Sequence, residues 1–228
     1  MREGNELILH RGSSRLPRKV NVVSGDAIEI TTAHGPARVH LQPADGSGGL
    51  LLLGHGAGGG VGAADLQAAA SAAGAGGWHV ALVEQPYRVA GRRAPAPAGQ
   101  LDTAWTEVAQ HLLSGRFAGS HLVVGGRSSG ARVACRTSAA LGAVGVLCLA
   151  FPLQPPARAG RPVRPSRLAE LDAVTVPTLV VQGERDPFGV PPAGRHRDIT
   201  VLPGDHSLDR DLPAVGAAVG NWLARLTA

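Results

Sequence analysis

His121-Leu122-Val123-Val124-Gly125-Gly126-Arg127-Ser128-Ser129-Gly130-Ala131-Arg132-Val133-Ala134-Cys135 is the stretch on which the fold turns. His121–Val124 is a short apolar run bounded by glycine, which predicts a buried strand. Ser129–Leu141 predicts a helix. Between them Gly126-Arg127-Ser128-Ser129-Gly130 spells G-x-S-x-G in the strand–turn–helix setting that gives the motif its meaning. A serine on so sharp a turn projects its hydroxyl away from the backbone. The flanking glycines have no Cβ to strike the neighbouring strand and helix. The helix N-terminus that follows favours negative charge nearby. Ser128 is therefore the candidate nucleophile, and the backbone N–H of Ser129 a candidate donor to an oxyanion. A Ser-Ser helix cap in a glycine turn is the plain alternative, and the motif alone does not separate the two.

Upstream, Gly49–Leu53 (GLLLL) is a continuous apolar run, as expected of a strand covered on both faces. A glycine-rich loop follows, then an Ala-rich helix from about Ala63 to Ala73 closed by Gly74, Gly76 and Gly77. Trp78–Val83 is the next strand. Residues 85–99 are irregular, and Leu101–Leu113 has helical spacing with Asp102 or Thr103 near its cap. The loop Gly54-His55-Gly56-Ala57-Gly58-Gly59 fits the HGxxG type, whose backbone N–H completes an oxyanion hole opposite Ser129. Ala57 is the first choice of donor and Gly58 the second, with His55 a structural residue that holds the loop. The same glycines also spell G-x-G-x-x-G, and Glu84 ends the next strand where a dinucleotide fold keeps its ribose-binding acid. This segment alone leaves that reading open.

Downstream the pattern repeats. Val144–Leu149 is a strand, and a Pro/Arg loop runs from Phe151 to Arg167 before a short helical piece through Leu171. Thr178–Gln182 and Ile199–Leu202 are strands, and Asp211–Leu226 is an amphipathic helix. Near the start, Ala27–Thr32 and Ala37–Leu41 flank His34-Gly35-Pro36 as a hairpin. The whole predicts an α/β fold with a mostly parallel central sheet, an N-terminal antiparallel hairpin and helices on both faces. Residues 21–228 read as one domain behind a loose basic tail, residues 1–20. Two late loops then favour hydrolysis over dinucleotide binding. Asp186 follows the strand ending at Gln182, and His206 follows the strand ending at Leu202. Ser, Asp, His in that chain order, each on a loop after a strand, is what a serine hydrolase of this kind requires. His206 would take the proton from Ser128, and Asp186 would orient the imidazole. Glu184 is the rival acid. Asp205 and Asp209 suit turn or helix capping, and His196 lies before its strand, at the wrong end.

Composition excludes other classes. The 228 residues are 44% hydrophobic but hold only three Phe, three Trp and one Tyr, so the core is aliphatic. No apolar run reaches the ~18 residues needed to span a bilayer, and the N-terminal stretch lacks the apolar region of a secretory signal. A cytoplasmic protein is expected. The net charge is +5, but all but one of the 22 basic residues are Arg and they are scattered. Without interleaved aromatics they make a nucleic-acid site a poor expectation. Cys135 and Cys148 have no CxxC or Cys/His spacing and read as buried free thiols. No metal, cofactor or membrane is called for. A small-molecule substrate is the partner, and no feature sets an oligomeric state.

The segments HGAGG, EQPYRVAGRRAPAP, GGRSSGARVA, FPLQPP, VPTLVVQGERDPFG and GDHSL resemble the small α/β-hydrolase family that includes the testis-expressed protein 30 and KAT8 regulatory complex subunit 3 hydrolase-like domains. That family is distantly similar to dienelactone hydrolases. The resemblance runs from about Gly49 to the C-terminus. It implies the α/β-hydrolase fold with Ser128 as nucleophile, Asp186 as acid and His206 as base. Ser129 stands where such elbows more often carry Met. Members used as scaffolds in chromatin complexes keep a non-catalytic binding protein open, and a dinucleotide-dependent oxidoreductase is a weak third reading. No large cap domain is inserted. The expected reaction is hydrolysis of a small ester or thioester through an acyl-enzyme. Arg88, Phe151 and Phe188 are the candidate substrate contacts. The arginines of the 151–167 loop would draw an acidic substrate or, as the sequence favours, form a solvated basic surface.

Overall fold

Leu50, Leu51, Leu52 and Leu53 are all fully buried, because alternate side chains leave opposite faces of one strand. Leu50 and Leu52 join a core with Trp105, Val108 and Ala134, while Leu51 and Leu53 join a second with Leu66, Val215 and Trp222. The sheet between these two cores was described in a computed structural model covering residues 20–23 (backbone only), 27–46, 48–157, 160 and 162–227. Strands β1 (Val20–Val23), β2 (Ala27–Thr32) and β3 (Gly35–Gln42) are antiparallel. Strands β4 (Leu50–Gly54), β5 (His79–Glu84), β6 (Leu122–Arg127), β7 (Gly145–Leu149), β8 (Thr178–Gly183) and β9 (Arg197–Leu202) are parallel. The spatial order is β1-β2-β3-β5-β4-β6-β7-β8-β9, which places β4 at the centre.

Helices α1 (Ala64–Ala75) and α6 (Leu212–Leu226) cover one face. Their alanines and glycines let the backbones approach: a Cβ added at Gly216 would lie 3.7 Å from the Ala72 Cβ. After β5 comes one turn of helix, α2 (Pro86–Val89). Helices α3 (Ala98–Ser114), α4 (Ser129–Thr137) and α5 (Leu168–Asp172) cover the other face. Among the described residues, those between β7 and α5 form no helix or strand and so make no cap domain over the sheet. No helix of the described residues is long and apolar enough to cross a membrane.

Several boundaries differ from the sequence reading. Of the expected tail, residues 1–19 lie outside the described residues, and Val20 already begins β1, a strand not foreseen. Arg158 and Arg161 also lie outside them. The hairpin turns at Ala33 and His34, because Gly35 at φ 105° reaches a backbone region open to glycine and pairs with Thr32. Pro97 rather than Asp102 or Thr103 opens α3; Asp102 lies a turn inside and pairs with Arg136. Helix α4 ends at Thr137 rather than Leu141. Strand β6 runs on to Arg127, since Gly125, Gly126 and Arg127 still pair with β7, so the elbow follows with no intervening loop. On the side away from β4, β5 pairs with the antiparallel β3, where a dinucleotide fold has a parallel strand. Glu84 is held by His40 at 3.2 Å and Arg38 at 3.7 Å.

Candidate active site

Ser128 lies between β6 and α4 with φ 53° and ψ −106°, a left-handed conformation that an L-residue adopts only under constraint. Packing imposes it. A methyl at Gly126 or Gly130 would strike the Gly54 carbonyl oxygen, so β4, β6 and α4 approach as closely as backbones allow. The Ser128 N–H is anchored to the Leu149 carbonyl at 2.9 Å. With its backbone held on both sides, the serine presents Oγ 2.9 Å from His206 Nε2.

The histidine and the aspartate come from neighbouring strand ends. Glu184 N–H donates to Leu202 O and Arg185 N–H to Gly204 O, both at 2.9 Å, so the loops after β8 and β9 are tied together. Gly183 lies so close to the Asp205 carbonyl that no Cβ fits. Asp186 Oδ2 faces His206 Nδ1 at 2.8 Å and accepts from the Gln182 amide at 2.7 Å; Oδ1 accepts the Phe188 N–H at 2.8 Å. The Asp186 side chain is wholly buried, and that of His206 is 21% exposed. A carboxylate only accepts, so this contact assigns the proton to Nδ1 and leaves Nε2 free to accept from the serine hydroxyl. The Phe188 ring lies against the imidazole, centroids 4.5 Å apart.

The glycine-rich loop after β4 lies beside the elbow: a Cβ at Gly56 would come 3.7 Å from the Ser128 Cβ. His55 is buried, accepts the Gln85 N–H at 3.1 Å and donates from Nδ1 to the Gly56 carbonyl at 2.8 Å. Burial lowers its pKa, which keeps the ring neutral. Tyr87 donates its hydroxyl to the Ala57 carbonyl at 2.9 Å. These bonds turn the carbonyls of Gly56 and Ala57 toward His55 and Tyr87. The next N–H groups, of Ala57 and Gly58, must point the opposite way because each peptide is planar and trans. Ser129 begins α4, so its N–H has no partner four residues back.

The other expected residues distribute differently. Phe151 is fully buried in the core, so its assignment as a substrate contact is corrected. Ala150 takes φ 48° and is itself buried in the core under α1 and α6, while Phe151 after that bend is buried in the core on the other face. Arg88 is half-buried with Nη1 3.4 Å from the Arg92 carbonyl. Phe188 lies at His206, as above. Glu184 is exposed and pairs with Arg185 at 3.4 Å. Asp205 caps the turn that carries the histidine by accepting from Ser207, whose two hydrogen bonds lower the aspartate pKa. Gln182 and Tyr87 had no role assigned in the sequence reading. The first was findable as a lone amide ending the apolar run Leu179–Val181, since a buried polar group must bond something. For Tyr87 no local signal exists.

A doubly covered parallel sheet with Ser, Asp and His converging at its strand ends defines an α/β hydrolase. The chain belongs to the alpha/beta hydrolase domain family, whose model matches residues 47–209. No curated protein matches it in sequence. Among solved structures it is similar to a serine hydrolase homologue from Coxiella burnetii, with 13% identity and a TM-score of 0.68 over 88% of this chain and 98% of that one. It is similar also to an α/β serine hydrolase without lid from Xanthomonas campestris, with 20% identity and a TM-score of 0.67 over 92% and 96%. Est1E from Butyrivibrio proteoclasticus gives 15% identity and a TM-score of 0.71 over 89% and 99%.

Proposed function

We propose that the protein is a serine hydrolase that cleaves a small ester or thioester through an acyl-enzyme. The observation that carries this reading is the unbroken series from Ser128 Oγ to His206 Nε2 at 2.9 Å and from His206 Nδ1 to Asp186 Oδ2 at 2.8 Å. His206 takes the hydroxyl proton as Ser128 attacks the substrate carbonyl. Asp186 stabilises the imidazolium that forms, and His206 passes the proton to the leaving group. A water activated by the same histidine then releases the acid and regenerates the serine. The N–H groups of Ala57 and Ser129 stabilise the oxyanion of each tetrahedral intermediate, with Gly58 as the second choice on its loop. Phe188 and Arg88 are the proposed substrate contacts. Membership of the testis-expressed protein 30 and KAT8 regulatory complex subunit 3-like family, a single domain over residues 21–228 and a cytoplasmic location belong to the same proposal.

The test is labelling with a fluorophosphonate probe and mapping of the modified residue, alongside hydrolysis of short-chain p-nitrophenyl esters and acyl thioesters. Labelling at Ser128 that disappears in Ser128→Ala, together with turnover, supports the proposal. A folded protein that neither labels nor turns over is the outcome against it, and it points to a non-catalytic binding protein instead.

A further inference from the structure

We infer that Arg127, paired with Asp65, is the positioning residue that sets where His206 stands relative to Ser128. The inference rests on the reading of Ser128, His206 and Asp186 given above and names a part for two residues outside it.

Arg127 immediately precedes the serine, so the turn that aims Ser128 also launches this side chain. Its guanidinium makes one ion pair and one hydrogen bond. Nε lies 2.9 Å from Asp65 Oδ2, and Nη2 donates to the His206 carbonyl at 2.8 Å. It also abuts the glycine-rich loop, where a Cβ at Gly56 would come 3.0 Å from Nη1. One planar, rigid fork thus spans the elbow, the first turn of α1 and the loop of the base. The His206 carbonyl takes no other donor among the described residues.

The His206 loop is tied at Gly204 to the loop after β8 and at Leu208 to the core, and Arg127 holds the histidine's own carbonyl between them. Gly204 at φ 122° and Leu208 at φ 54° bracket it, and its internal turn, between Asp205 and Ser207, is exposed. Among the described residues the imidazole hydrogen-bonds to Ser128 and Asp186, and both distances depend on where the backbone carries the ring. Asp65 explains why an arginine can do this next to a residue that becomes cationic. The Asp65 side chain is 1% exposed, and its other oxygen accepts the Leu66 N–H at 2.9 Å. A buried carboxylate persists when paired, and here it neutralises the guanidinium in turn. Burial raises the Asp65 pKa and Arg127 opposes that rise, as expected of a mutually dependent pair.

The test compares wild type, Arg127→Ala, Arg127→Lys and Asp65→Asn for folding by circular dichroism and for kcat, KM and fluorophosphonate labelling rate at Ser128. Arg127→Ala is expected to lose about 10- to 100-fold in kcat and labelling rate, with KM within about threefold, the effect of a small misplacement of a reacting group. Arg127→Lys, which can hold one partner but not both, recovers part of the loss. Millimolar guanidinium ion added to Arg127→Ala recovers part of it too, which a general loss of stability would not allow. Unchanged kcat in folded Arg127→Ala, or a change confined to KM, overturns the inference. If the alanine variant does not fold, Asp65→Asn decides: a drop of about tenfold in kcat supports the role and an unchanged kcat overturns it. A wild-type chain that is never labelled at Ser128 is a separate result, which removes the reading of the site and this inference with it.

Discussion

Gly54, Gly126 and Gly130 meet where one methyl would not fit, and the conformation of Ser128 depends on that contact. Gly130→Ala places a Cβ against the Gly54 carbonyl, a backbone atom that cannot swing aside. The expected loss is about 1–3 kcal/mol, the range for overpacking a rigid site, read as a lower denaturation midpoint at unchanged slope. Labelling at Ser128 should slow in the same variant. Wild-type stability in Gly130→Ala would show that the backbones separate at little cost. This requirement was legible in the sequence, because absence of a Cβ is a property of the residue itself. The burial of Phe151 was not. It depends on the bend at Ala150, and nothing in Ala-Phe-Pro declares that bend.

Helices α3, α4 and α5 are joined by charge as well as by the core beneath them. Arg132 holds Glu170 through two nitrogens at 2.6 and 2.8 Å. Arg136 holds Asp102 in the same way at 2.6 and 2.8 Å and reaches Glu170 at 3.3 Å. Part of the basic surplus is therefore internal to the fold. Burial alone would raise the Glu170 pKa, but the two arginines outweigh it and hold the group below its ordinary 4.5. A carboxyl depressed in the folded state stabilises fully above its unfolded pKa, and that contribution fades as pH falls through the folded value. Glu170→Gln should therefore lower Tm near neutral pH and make its decline below about pH 4.5 shallower than in wild type. Parallel Tm curves over that acid range would mean that the pair contributes nothing. Beneath α4, Cys135 Sγ and Cys148 Sγ lie 3.5 Å apart in the core, helix against strand. The sequence placed both as buried free thiols, and only the packing of α4 on β7 brings them into contact.

At the scale of the whole molecule, one sheet divides two cores, and β4 at its centre feeds both. Leu52→Ala removes a fully buried side chain from the face under α3 and α4 and leaves a cavity that close-packed neighbours fill poorly. The expected loss is about 2–5 kcal/mol, measured by denaturant unfolding. A loss well under 1 kcal/mol would indicate that the two faces repack independently of the central strand. This double burial is why the chain was readable as it was. Strands covered on both sides must be continuously apolar, so GLLLL and the runs like it announced a parallel sheet before any contact was known. The order of nucleophile, acid and histidine followed from where those runs end. By itself, then, the sequence determined the order of the elements other than β1 and α2, the elbow at Ser128 and the loops bearing Asp186 and His206, because each rests on apolar runs, glycine spacing and turn chemistry that act locally. Only the tertiary structure decided that Asp186 and not Glu184 faces His206, that Gln182 anchors that carboxylate, and that Arg127 joins Asp65 to the histidine loop. Those pairings lie between residues far apart in the chain, and the sheet order and the close approach of strand ends are what bring them within hydrogen-bond reach.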